Sequence, residues 1–390
     1  MNYDVAYKES IDMLVSLIKS KTTYSKKQVS ILEPLYADIV EGLAFAKKQF
    51  DDKNVRMSIL KGRYMHVPPS SRFMPREINQ YISNHMKRQV VYIAHLGHRK
   101  ITIRFGLFNN KHEMSDLEHY AQIIISWIYT IVRYADYSCG KTQLVDIYFT
   151  DYKKKFPKSS VITLSPINCN SGFSTVCAER NEITIFRSEE WFKVFLHESF
   201  HSFGLEPNHS CEMQLSNYIA DTLPIKPMVR VSETYVEVWA RIINVVYSAV
   251  INSKGVDEFY DLLRFSLQLE VLFSVYQAVR VLNFMNLDYR SLIDKTSVTA
   301  KMLYKEDTHV FAYYILSAAF MNNSLGFISW CDNHNTKWLK FYNSNRTCNL
   351  FKRFMYNCIH DPNMLRLCDI FKSQECVKQG LRFSIVETLI

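Results

Sequence analysis

The stretch Phe192-Lys193-Val194-Phe195-Leu196-His197-Glu198-Ser199-Phe200-His201-Ser202-Phe203-Gly204 holds the residues best suited to chemistry. On a helix, His197 and His201 share one face, where two imidazole nitrogens can meet a single metal ion. Glu198 projects beside that ion, placed to take a proton from water. Local signals favour a helix, with Ser188 as its cap, Glu189 and Glu190 at the positive end of its dipole and Gly204 closing it. A buried helix with two hydrogen-bonded histidines is the bland alternative, so a third donor must be found.

Hydrolytic zinc takes three protein ligands and keeps one position open. The first candidate is Glu233, in Ser232-Glu233-Thr234-Tyr235-Val236-Glu237-Val238-Trp239-Ala240. Glu233 and Glu237 lie one turn apart on an otherwise apolar helix, and two carboxylates facing a core require a reason. A metal supplies it, with Glu233 as third ligand and Glu237 accepting the free ring N–H of a ligand histidine. Ion pairs with Arg230 and Arg241 on a solvated face are the alternative. Glu206 and Glu212, soon after the motif, also compete as ligands. To stabilise negative charge on a reacting carbonyl, His309, Tyr313 and Tyr314 share one predicted helix, and His209 is a further candidate. Taken singly, each aromatic reads first as a core residue.

Periodicity locates the elements that must hold these groups. Residues 1–87 read as an N-terminal helical extension, with helices at 7–18, 31–50 and 76–86 broken by Pro68-Pro69-Ser70-Ser71. Residues 88–204 read as a lobe with a small mixed sheet: a hairpin at 90–96 and 101–107, a helix at 115–134, a strand at 143–150, a short strand at 162–164, an edge-like stretch at 168–175 and a strand at 182–186. Gly172 in the edge-like stretch lets backbone approach closely, unless it is an ordinary turn glycine. Residues 205–390 read as a mainly helical lobe carrying Glu233, with a last strand near 380–386. The expected class is α+β.

The spacing from His197-Glu198-x-x-His201 to Glu233 and Glu237 resembles the gluzincin branch of the zincin metallopeptidases. That resemblance implies zinc on His197, His201 and Glu233, Glu198 as general base, and Glu237 orienting a ligand histidine. The gap before Glu233 is longer than in the commonest gluzincins. The opening H-E-x-x-H-x-x-G is also similar to metzincins, but Pro207 stands where their third histidine falls. His209 would then require an insertion, and Met228 would have to form the methionine turn. A wider likeness is to an uncharacterised zincin-like family of large nucleocytoplasmic DNA viruses. It runs through Asn170-Ser171-Gly172, 183–187, Glu190-Trp191-Phe192-Lys193-Val194, 233–240 and Thr308-His309-Val310-Phe311-Ala312-Tyr313-Tyr314. It implies a zincin-like fold, with the metal helix beneath the sheet and an extended substrate pairing with the edge strand, and a zinc metalloendopeptidase. The competing expectation is a catalytically silent zincin-fold virion or interaction protein whose zinc is structural. Retention of Glu198 speaks against it.

Composition narrows the setting. With 390 residues, 48% of them hydrophobic, the chain can bury a large core, and only 10 Gly and 10 Pro favour helix over loop. Nine Cys without a C-x-x-C pair argue against a zinc ribbon and predict free thiols in a reducing compartment. The crowding of Cys331, Cys348, Cys358, Cys368 and Cys376 leaves a disulfide or two near the C-terminus as the alternative. No signal-like start and no apolar run long enough to span a bilayer are visible, so the expectation is intracellular, cytoplasmic (host cytoplasm or virion if viral), and not membrane-bound. The net charge of +9 has no dense basic stripe, and Lys153-Lys154-Lys155 reads as a solvated loop. A peptide or protein substrate is expected, and nucleic acid is not. The aromatic wealth predicts an apolar specificity pocket.

Overall fold

Strand pairing follows the change of period in the sequence. The computed structural model describes residues 8–19, 24–372 and 380–388. Six strands, β1 (Arg56–Leu60), β2 (Arg88–Leu96), β3 (Arg99–Leu107), β4 (Thr142–Tyr148), β5 (Gly172–Ser174) and β6 (Arg180–Ile185), form one sheet in the order β1-β2-β3-β4-β6-β5. The β3–β4 and β4–β6 pairings are parallel and the others antiparallel, so the sheet is mixed and the class α+β. The parallel β3–β4 step needs a crossover, which the Met114–Ile131 helix supplies. Alternation then sorts the two faces. Val90, Phe105, Val145, Ile147, Ile183 and Ile185 join the main core, while Tyr148 and Phe186 point the other way, under Ile78 and Ile82 of the Arg76–His85 helix.

The N-terminal segment is not purely helical. Its helices appear as expected, but β1 pairs with β2 and extends the sheet. The strand is short, mostly exposed and at an edge, so periodicity gave little sign of it. The Glu33–Asp51 helix packs along Met114–Ile131, with Arg133 2.9 Å from Asp38 and Thr130 Oγ1 donating to the Asp38 carbonyl at 3.2 Å. This part therefore builds scaffold. The short strand expected at 162–164 is a single bridge from Leu164 to Glu306.

The helix carrying the metal motif, Trp191–Phe203, is buried along its whole length between β5, β6 and the Val231–Asn252 helix. Burying Phe195, Leu196, Phe200 and Phe203 contributes about 2 kcal/mol each. Ser188 does not cap it. The Ser188 hydroxyl donates to the Thr150 carbonyl at 2.8 Å, and Glu190, in a left-handed conformation (φ 58°), starts the helix. Gly204, at φ 65°, closes it as expected. Trp127 Nε1 donates to Ser199 Oγ at 2.7 Å, and Asn181 donates to the Ser202 carbonyl, which pins the helix to its neighbours. The Val231–Asn252 helix is the one among the described residues long and apolar enough to cross a membrane, and 89% of that window is buried inside the protein, as in a core helix.

The cysteines and the C-terminus depart from expectation. Cys139 is bonded to Cys177 and Cys211 to Cys348, with Cα–Cα separations of 4.7 and 5.9 Å. Cys169, Cys331, Cys358 and Cys368 are free and buried, and Cys376 lies outside the described residues. Residues 380–388 form no strand but run buried through the core. Glu190 accepts from the backbone N–H of Phe383 (2.9 Å) and Ser384 (2.6 Å), and Glu270 from that of Ile385 (3.0 Å). Side-chain acceptors thus replace the missing ladder. Lys154, expected in a solvated loop, is wholly buried, ion-paired with Glu190 and 4.0 Å above the Phe383 ring.

Glu270 gives this tail a pH dependence. Burial raises its pKa from 4.5 to about 7, against the pull of Arg241 and its hydrogen bonds. The native chain therefore holds this proton more tightly than the unfolded one. The contribution of Glu270 to stability is greatest below pH 4.5 and declines as pH rises from 4.5 to about 7, by roughly 3 kcal/mol in all. Glu270→Gln should flatten that decline. Thermal melts of both proteins between pH 5 and 8 would measure it, and equal slopes would contradict this assignment.

Candidate metal centre

His197, His201 and Glu233 converge into a triangle. His197 Nε2 lies 3.2 Å from Glu233 Oε2, His201 Nε2 lies 3.3 Å from the same oxygen, and the two Nε2 atoms are 3.3 Å apart. Donors bound about 2.0 Å from one tetrahedral ion stand about 3.3 Å apart. The donor set therefore fits three corners of a tetrahedral metal site. Helix geometry supplies the two histidines. The first turn of the Val231–Asn252 helix supplies the carboxylate: Glu212 accepts from the backbone N–H of Val231 (2.8 Å) and Ser232 (2.7 Å), fixing the turn that bears Glu233. Glu212 is thus a cap, not a ligand.

Each histidine is oriented through its other nitrogen. His197 Nδ1 lies 2.9 Å from Glu237 Oε2, and His201 Nδ1 meets Glu206 Oε2. Such partners fix the ring and the tautomer that leaves Nε2 free for a metal. Glu206, weighed as a ligand, serves this second role. Glu237 is fully buried between Lys193 Nζ (2.8 and 2.9 Å) and Arg241 Nε (2.8 Å), which together hold its carboxyl well below the usual range against the cost of burial. Burial also resists charge on His197 and His201, yet the facing carboxylates outweigh it and raise both pKa values. The site attracts positive charge.

Glu198 lies against the edge strand. Its Oε2 accepts from Ser174 Oγ at 2.7 Å, and burial raises its pKa. A Cβ on Gly172 would stand 3.1 Å from Glu198 Oε1 and 2.9 Å from Val194 Cγ1. Gly172 is therefore a close-approach glycine, and a side chain there would push Val194 and crowd Glu198. Because β5 is the last strand of the sheet, its outer edge has no neighbouring strand among the described residues.

The carbonyl-side candidates separate. Tyr313 is half-buried, with its ring 5.9 Å from that of His197. Burial, then the charges of Glu233, Glu198 and Glu237, push its pKa well up, so it remains a hydrogen-bond donor. It sits in a π-helical turn, Phe311–Leu316. Such wide turns free carbonyls and recur at functional sites. Here Arg241 Nη2 donates to the Tyr313 carbonyl (3.0 Å) and Thr234 to that of Ala312 (3.2 Å), so the turn is tied to the helix bearing Glu233. His309 is half-buried at the rim, its ring 6.0 Å from Tyr313, and burial lowers its pKa. Tyr314 is not brought to the site: it is buried, donates to the Leu381 carbonyl at 2.6 Å and packs on Phe383. His209 is exposed on the first turn of the His209–Thr222 helix.

Sequence reasoning missed Ser174 and Lys193. Lys193 left a signal, a lone cation in the otherwise apolar run 192–196, whereas Ser174 left none. Compared with protein-family models, curated proteins and solved structures, the chain matches none of them. Its own geometry and chemistry define a buried His197, His201 and Glu233 group able to hold a metal.

Proposed function

We propose that this chain is a zinc-dependent endopeptidase with a zincin-type, gluzincin-like arrangement, akin to the viral zincin-like family. The observation that carries this reading is the donor triangle with Glu198 beside it. When bound by His197, His201 and Glu233, zinc supplies Lewis acidity, lowering the pKa of water and polarising a peptide carbonyl. Glu198 then takes a proton from the attacking water as its oxygen bonds to the carbonyl carbon. It passes that proton to the amine as the C–N bond breaks. Ser174 holds Glu198 in place, and Tyr313 donates to the developing oxyanion. Glu237 and Glu206 keep the ligand rings aligned. An extended substrate adds to the free edge of β5 through main-chain hydrogen bonds.

Glu198→Gln tests the reading. Zinc content, by metal analysis of the purified protein, should remain one per chain, while cleavage of unstructured peptides falls by at least about 10³-fold. A wild-type chain that holds zinc and cleaves nothing would instead favour a structural role for the metal.

A further inference from the structure

Two arginines stand at the rim of the metal site, and the hydrolytic steps use neither. Arg230 is exposed at the N-terminal cap of the Val231–Asn252 helix, about one turn ahead of Glu233. Arg72 is exposed in the loop before the Arg76–His85 helix, its guanidinium 4.7 Å from the centre of the Phe73 ring. Buried Asn170 fixes that loop against the rim. Its Nδ2 donates to the Phe73 carbonyl at 3.3 Å, and its Oδ1 accepts from the hydroxyl of Thr308, the neighbour of His309, at 2.9 Å.

The two charges meet at His309. Burial lowers the pKa of its ring, and Arg230 and Arg72 push the same way, against the pull of Glu233. Neither guanidinium has an ion pair or a hydrogen bond among the described residues. Positive charge that converges without a counter-ion favours an anion there, and the planar guanidinium fork matches a carboxylate. Inside the site there is little else to select on. The cavity beside His197 and Glu198 offers about 20 Å³, room for roughly one water-sized group. The apolar pocket expected from composition would need more, so discrimination falls to the rim.

The geometry points to Arg72 and Arg230 as a clamp for a substrate carboxylate, from an acidic side chain or a free chain end. The inference rests on the proposed hydrolase activity. A helical turn is about 5 Å long and an extended chain advances about 3.3 Å per residue, so the clamped carboxylate lies within about three residues of the cut bond.

The test uses the zinc-loaded full-length chain and peptides capped at both ends, with Glu, Gln or Lys at each position near the bond. A second set repeats the Gln peptides with a free C-terminus. Products are identified by mass spectrometry, and the same peptides are titrated calorimetrically into zinc-loaded Glu198→Gln. Peptides with the carboxylate should be cut about 10-fold faster than capped Gln peptides at low salt, and the ratio should shrink toward one at about 0.5 M salt. Arg72→Gln combined with Arg230→Gln should remove the preference, and Arg72→Glu combined with Arg230→Glu should turn it toward Lys peptides. Preference among capped peptides assigns the carboxylate to a side chain, preference confined to free-ended ones assigns it to the chain end, and either keeps the clamp. No preference in either set, or one that survives both double variants, would overturn the clamp and keep the hydrolase. Tighter binding of the carboxylate peptides without any cleavage, lost when both arginines are replaced, would keep the clamp and overturn the hydrolase. Neither cleavage nor binding would overturn both.

Discussion

Glu233→Ala is expected to abolish stoichiometric zinc binding while leaving a cooperatively folded chain. Glu233 Oε2 faces both ligand nitrogens, so its loss removes a donor and also the anion that draws positive charge between the two rings. Loss of an orienting partner alone typically costs 10- to 100-fold in metal affinity, and loss of a ligand should cost about 10³-fold or more. The fold should survive, because the turn bearing Glu233 is held by Glu212 and its helix by apolar packing. Two measurements check this. Competition with a chromophoric chelator should show the affinity falling beyond the assay range. The melting temperature of the wild type should drop when zinc is chelated, through mass action on the native state, whereas that of Glu233→Ala should not move. Full zinc occupancy in the variant would remove Glu233 from the ligand set and send the search to Glu206.

How much of this was legible depended on whether the deciding contact was local. His197 and His201 were readable because helical spacing alone places them on one face. Glu233 and Glu237 were readable because two carboxylates on an apolar helix demand a partner, although only the fold showed that Glu237 meets His197, Lys193 and Arg241 together. Contacts made across the fold left weaker traces. Ser174 is an ordinary strand serine until β5 is laid beside the metal helix. Lys154 reads as solvated until Glu190 and Phe383 enclose it. The start of the metal helix was misread because Glu190 takes a left-handed conformation and spends its carboxylate on the tail. The tail misled in turn, since the alternating run Leu381-Arg382-Phe383-Ser384-Ile385 looks like a strand whether its amides meet a sheet or two buried carboxylates. Disulfide partners 38 and 137 residues apart are fixed by tertiary proximity, which spacing does not encode.

Glu237→Ala should be among the most damaging single changes near the site, and in two separable ways. Lys193 and Arg241 are almost wholly buried, and both pair directly with this one carboxylate. Removing one partner of a buried ion pair typically costs about 3–5 kcal/mol, because the remaining charge is left without compensation. Denaturant unfolding of the zinc-free proteins should show that loss. The second effect is on the metal: His197 loses the acceptor at Nδ1, and zinc affinity should fall about 10- to 100-fold. Lys193→Met separates the two. It removes one cation and leaves Glu237 on His197 and Arg241, so stability should fall while zinc affinity is retained. Combining Lys193→Met with Glu237→Ala should then cost less than the sum of the single changes, because the stranded cation is gone. A double variant whose losses simply add would mean that this carboxylate does not balance Lys193, a Glu237→Ala chain with unchanged zinc affinity that it does not orient His197, and both together that it does neither. The same side chain would then be an ordinary helix ion pair with Arg241, and the link between the charge network and the metal site would be gone.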